Sequence, residues 1–234
     1  MSTSGTTAFT LVNNEFCERA FALLGIGQEG ESITAKMYSD ATYAFNLMIK
    51  TFSAKDHLWS RAGGSLTLIS GQAAYALGGA SGKPMRVLSA RRKTTASGNE
   101  VPMTEWSRQE YLDQPNKTSS LSTPTSFYYD PQRATGTLYV WPAPSTAVAS
   151  TMTIEYDYLR RLSDMISSSD EADFPQEWLE TLVYNLAVRL MPQYPVNDGN
   201  LAKLVIGQAQ ELLAGMSGWD EEPASVFLQP DARW

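Results

Sequence analysis

Apolar residues follow two regimes along this chain. Before about residue 55, and again after Ser163, they return every three or four positions, as on one face of a helix. Between Trp59 and Leu159 they form short runs among Gly, Ser, Thr and Pro, as in strands. The first helical stripe is Leu11, Phe16, Ala20, Leu23 and Leu24, with Thr10 or Asn13 as expected cap and Gly25 and Gly27 as stop. The second is Met37, Ala41, Ala44, Phe45, Met48 and Phe52, capped by Ser32 or Thr34 and running to about Lys55.

The strongest stripe comes late. Trp178, Leu179, Leu182, Val183, Leu186, Ala187 and Leu190 follow a capping-box spacing of Asp173 and Gln176, with Pro175 in the expected first turn. A last helix is expected from about Asn197 to Met216, ended by Gly215 and Gly218. In the middle, Leu66-Thr67-Leu68-Ile69, Met85-Arg86-Val87-Leu88 and Met152-Thr153-Ile154-Glu155-Tyr156 read as strands. Phe127-Tyr128-Tyr129, then Asp130-Pro131, then Gly136 to Trp141 reads as a hairpin. Ser107 to Leu112 reads as a helical turn, Gly71 to Gly82 as a flexible turn, and Gln114 to Pro124 as loop.

The pattern predicts an α+β fold. Helix pairs in residues 1–58 and 163–217 pair their apolar stripes in one bundle. An antiparallel β-rich domain is inserted at 59–162, and 218–234 is an extended C-terminal tail.

Composition narrows the function. At 234 residues the chain is long enough for a large core, and only 18% of its residues are charged against 11% aromatic. Uncharged aromatic surface marks faces that partners cover. One cysteine and one histidine exclude disulfides within the chain and multi-His or Cys-based metal sites. No metal or cofactor is expected. There is no signal-like start and no apolar run long enough for a membrane span, so a soluble protein is expected. The net charge of −7 is uneven: residues up to 154 hold 13 basic and 11 acidic side chains, and those from 155 hold five and 14. Such an acidic end does not seek nucleic-acid phosphates.

Candidate chemistry is sparse. His57 beside Asp56 lacks a nucleophile elbow and reads as a polar residue at a helix end. Cys17 reads as a small core side chain. Glu155 with Asp157, or Asp170, Glu171 and Asp173, could serve a carboxylate-dependent cell-wall glycosidase. The second group also suits a helix N-terminus. Lys83, Arg86, Arg91, Arg92 and Lys93 form the one basic run, a candidate contact for DNA or for a neighbouring subunit. Trp219, Phe227 and Trp234, among the tail acids, are candidate anchors for a partner's grooves.

Three stretches carry a family resemblance. They are Phe21-Ala22-Leu23-Leu24-Gly25-Ile26 with Ala44-Phe45-Asn46-Leu47-Met48-Ile49-Lys50, then Phe127 to Pro131 with Gly136 to Pro144, and then Phe174 to Glu180 with Tyr184-Asn185-Leu186-Ala187. In this order they resemble the head-to-tail adaptor proteins of short-tailed bacteriophages, the tail tubular protein A or packaged-DNA-stabilisation proteins. Phe52 stands where that pattern has Trp. The resemblance implies a structural virion protein of the neck, assembled in the host cytoplasm and not an enzyme. It implies a ring, usually of twelve subunits, between the portal protein and the tail nozzle protein. The ring would give double-stranded DNA a passage and help to retain the packaged genome, with the tail anchors Trp219, Phe227 and Trp234 on portal. A stopper or tail-completion protein is the neighbouring reading.

Overall fold

The computed structural model describes residues 5, 7–27, 32–54, 57–78, 82–196 and 198–219, and for Leu58 and Trp219 the backbone alone. The chain divides into two compact units, a helical one from Met1–Trp59 with Leu162–Trp234 and a strand-rich one of Ser60–Arg161. The α+β class expected from the sequence is what the structure has.

In the helical unit, α1 (Asn13–Leu23) and α2 (Ala35–Ser53) are joined by α5 (Leu179–Leu190) and α6 (Gly199–Trp219). Thr34 caps α2, its hydroxyl accepting from the Met37 N–H at 3.3 Å. Neither Thr10 nor Asn13 caps α1. Val12 holds that position, and the Glu15 carboxylate accepts its N–H at 3.0 Å. Asp173 does not cap α5 either. It accepts from the Ser163 N–H at 3.1 Å, and a 3₁₀ turn at Gln176–Trp178 leads into the helix. The stripes meet as expected: Phe16, Phe21, Phe45, Met48, Ile49, Trp178, Leu182 and Leu186 are all fully buried in one core. Gly215 and Gly218 do not end α6. A glycine inside a helix costs only about 1 kcal/mol, and α6 continues to Trp219.

In the strand-rich unit, β1 (Arg61–Thr67), β3 (Arg86–Thr94), β4 (Glu100–Pro102) and β10 (Met152–Leu159) form an antiparallel sheet in the order β1-β10-β3-β4. A second sheet has the order β2-β8-β7-β5. It consists of β2 (Ala74–Leu77), β8 (Gly136–Trp141), β7 (Ser126–Pro131) and β5 (Thr104–Glu105). The β7–β8 pair is the expected hairpin, with Phe127 opposite Val140. The β5–β7 pair is parallel, as is the small β6 (Leu121–Ser122) and β9 (Ala143–Pro144) pair, so the insert is not wholly antiparallel. Short helices α3 (Arg108–Leu112) and α4 (Thr146–Thr151) are capped by Ser107 and Ser145. Val87, Ala90, Phe127, Leu138, Val140 and Ile154 draw the two sheets onto one core. The Gly71 to Gly82 segment is not only a turn: β2 lies within it, burying Tyr75 and Leu77.

Candidate assembly surfaces

The helical unit leaves several large apolar side chains in solvent, among them Phe9, then Leu204 and Ile206 on α6, and a group on and near α2. Tyr43 on α2 is 69% exposed and Leu47, one turn on, 50%. Beside them Ile166 is 87% exposed. Its loop is held at nearly every backbone group. The Met165 N–H donates to Asn46 Oδ1 at 2.9 Å, and Asn46 Nδ2 donates back to the Met165 carbonyl at 2.7 Å. The Ile166 and Ser167 N–H groups donate to Asp170 Oδ2 at 2.7 and 2.6 Å. Asn13 Nδ2 donates to the Ser167 carbonyl at 3.2 Å. The Ser167 and Ile166 N–H groups hold the Asp170 carboxyl below the ordinary carboxylate range. Met165 turns into the core and Ile166 out of it, so Ile166 stands as a fixed apolar knob. The surface around it is lined by Asn13, Asn14, Tyr38, Ser39, Thr42, Tyr43, Asn46 and Ser168, none of them charged.

A groove of about 410 Å³ lies between α1 and α5 of the same unit. Leu11, Ala22, Leu23, Leu179, Val183 and Tyr184 line it, with Phe9 at its edge 64% exposed. Its charged members are one of each sign, Arg19 and Glu180. Polar ties brace the helices around both features. Tyr38 Oη donates to Glu18 at 2.6 Å, which pushes the phenol up to about 12. Tyr194 Oη donates to Asp40 at 2.8 Å. Lys36 first, and then Tyr194, hold the Asp40 carboxyl low.

The basic run does not form one patch. Lys83 is buried, its ammonium donating to the Pro131 and Gln132 carbonyls at the β7–β8 turn. Arg91 pairs with Glu100 at 3.2 Å and Asp157 at 3.1 Å, and Lys93 with Glu100 at 3.2 Å. Arg92 alternates to the other face of β3 and donates to the Pro124 carbonyl at 3.0 Å. Arg86 is exposed at the start of β3. Of the candidate tail anchors, Trp219 ends α6 and is not in an extended tail, while Phe227 and Trp234 lie outside the described residues.

The candidate acids are engaged in the fold. Glu155 accepts from Ser65 at 3.0 Å, and Asp157 from Ser89 at 2.8 Å as well as pairing with Arg91. Asp170 and Asp173 hold loop backbone, while Glu171 pairs with Val12 through its backbone alone, in an isolated β-bridge. His57 stacks on Trp59 at 5.4 Å and meets the Trp178 edge at 5.0 Å, buried in an aromatic cluster with Phe52 and Phe174. Cys17 is buried, and burial pushes its thiol up to about 11, far from a nucleophile's range. No group of three or more metal-ligating side chains occurs among the described residues. Sequence reasoning missed the Ile166 knob and the α1–α5 groove. The one sequence signal for the knob is the Met165-Ile166 pair standing alone in the polar stretch from Ser163 to Asp173.

Comparison with known proteins adds a family. The model of the SU10 adaptor protein family matches residues 20–228. No curated protein matches the chain. Among solved structures the chain is similar to one described as the neck of an empty GTA particle computed with C6 symmetry. The identity is 15% over 82% of this chain and 84% of that one, with a TM-score of 0.29.

Proposed function

The chain belongs to the SU10 adaptor protein family of phage adaptors, and on that premise we propose that it is a head-to-tail adaptor of the virion neck. In this reading, copies form a ring between the portal protein and the tail nozzle protein, as in the tail tubular protein A type. Twelve subunits is the number that the resemblance implies. The ring gives double-stranded DNA a passage and helps to retain the packaged genome. Its assembly takes place in the host cytoplasm. The observation that carries the reading is the reach of the family match, residues 20–228, across both compact units. The surface chemistry supports it. Large apolar side chains stand in solvent at fixed positions, as faces awaiting a partner do, and the candidate acids are engaged in the fold. A net charge of −7 suits a passage along which DNA slides without sticking. We read the protein as structural and not as an enzyme.

The acidic segment after α6, with Phe227 and Trp234, serves in this reading as an anchor on portal, and Trp219 stands at its root. The test mixes the full chain with isolated portal and measures attachment by mass photometry, with cryo-EM of the product. A ring on one face of portal is expected. Deleting residues 220–234 should leave the thermal unfolding midpoint nearly unchanged and weaken attachment about tenfold, roughly 1.4 kcal/mol. If the full chain and portal stay apart at every concentration, the adaptor reading falls. If the chain joins only after another neck protein has bound, it is a stopper or tail-completion protein.

A further inference from the structure

We propose that copies of this chain join head to tail through the helical unit, the Ile166 knob of one copy seating in the α1–α5 groove of the next. This rests on the ring reading above and names the contact that closes the ring.

Three observations carry it. The backbone under the knob is held before any partner arrives. Asn46, Asp170 and Asn13 hold the loop that presents Ile166, so little freedom is lost when it docks. The groove is apolar, with Leu11, Ala22, Leu23 and Val183 among its lining and about 410 Å³ of space. Ile166 fits there with room for a neighbour such as Tyr43.

Charge then selects the occupant. The chain carries −7, so two copies repel on average, most where their acidic surfaces face each other. No charged side chain lines the surface beside the knob; Asp170 behind it is spent on the Ile166 and Ser167 N–H groups, Asp164 is paired with Lys50, and the groove has one charge of each sign. These are faces on which two acidic copies can touch without repulsion. A strongly charged partner would gain nothing from them.

Symmetry follows from the residues. The knob surface and the groove share none of their lining side chains. A contact between them is therefore heterologous, and each copy offers a free knob and a free groove after binding its neighbour. Such contacts propagate from copy to copy, and they close into a ring when the rotation between neighbours divides a full turn.

Cysteine cross-linking of the full chain tests the contact, because the native Cys17 is buried. Ile166→Cys and Ala22→Cys are introduced singly and together, and Ser97→Cys, exposed in the strand-rich unit, serves as control. Oxidation is followed on non-reducing gels, with and without portal. The double variant should give a ladder of linked copies, formed about tenfold faster than dimers of the control, because a specific contact raises the effective concentration. A mixture of the two single variants should give linked dimers and nothing longer. Links of Ile166→Cys to itself as the main product, or a ladder no faster than the control under both conditions, overturn the proposal. Failure on portal that leaves the ladder intact would count against the adaptor reading alone. Portal attachment without a ladder would count against this contact alone.

Discussion

Gly136 in β8 has no side chain because Tyr129, across the hairpin, needs the space. A Cβ at 136 would collide with the Tyr129 hydroxyl and the ring edge that carries it. That ring is fixed by its hydroxyl, which donates to the Pro84 carbonyl at 2.6 Å. Burial first, with the nearby acid and phenol adding to it, pushes the phenol up to about 12. The same arrangement recurs on the other sheet, where the Tyr156 ring covers Gly64. Gly136→Ala should therefore force the ring out and forfeit its hydrogen bond. A loss of roughly 1–3 kcal/mol is expected from overpacking and the broken bond. Urea unfolding would show it as a lower midpoint. The companion Tyr129→Phe, which keeps the ring and loses only the bond, should cost less. If Gly136→Ala unfolds at the wild-type midpoint, the close approach does not constrain the hairpin.

At the scale of elements, the loop that presents Ile166 depends on one carboxylate. Asp170 accepts two N–H groups when ionised, so its folded form gives up a proton more readily than its unfolded form. As pH falls, the unfolded loop takes up the proton first. The stability contributed is complete above the ordinary carboxylate range, about pH 4, and is lost as pH falls through the lower folded value. Asp170→Asn should remove it at every pH. Limited proteolysis at residues 163–170 should then quicken in the variant at neutral pH, and in the wild type only in acid. Equal cutting of both proteins at neutral pH would sink this account. Elements with a long period were legible in the chain: α2 and α5 each carry a stripe that meets the core, and of the two caps expected for α2, Ser32 or Thr34, it is Thr34. Those set by distant partners were not. Strand β2 is four residues long and takes its identity from pairing with β8, where Ala74 faces Tyr139 and Leu77 faces Gly136, far along the chain. The Ser163 N–H takes the Asp173 carboxylate in place of the helix N–H groups, which no local pattern reveals. The basic run looked like a patch because the acids that neutralise it, Glu100 and Asp157, come from other strands. The knob escaped for a similar reason: Ile166 has no period, and Asn46, which pins its loop, lies 119 positions from Met165.

At the scale of the whole molecule, the strand-rich unit begins and ends in the same place. Its first and last strands pair antiparallel from Arg61 opposite Leu159 to Thr67 opposite Thr153. Just outside that pair the Arg160 N–H donates to the Ser60 carbonyl at 3.0 Å. Paired strands lie about 5 Å apart, so the chain enters and leaves this unit through a narrow gate. Replacing Ser60–Arg161 by a short Gly-Ser linker should leave the helical unit folded, with cooperative unfolding followed by circular dichroism at 222 nm. Residues 60–161 expressed alone should show a dispersed amide NMR spectrum. A helical remnant that melts without cooperativity would mean that its core draws on the excised unit. For the gene, that gate marks out a cassette. Its two edges are adjacent in space and far apart in the reading frame, the condition under which insertion and exchange of domains are tolerated. A crossover at each edge would give an adaptor of this family new contacts through the strand-rich cassette while the helical unit keeps its own sequence.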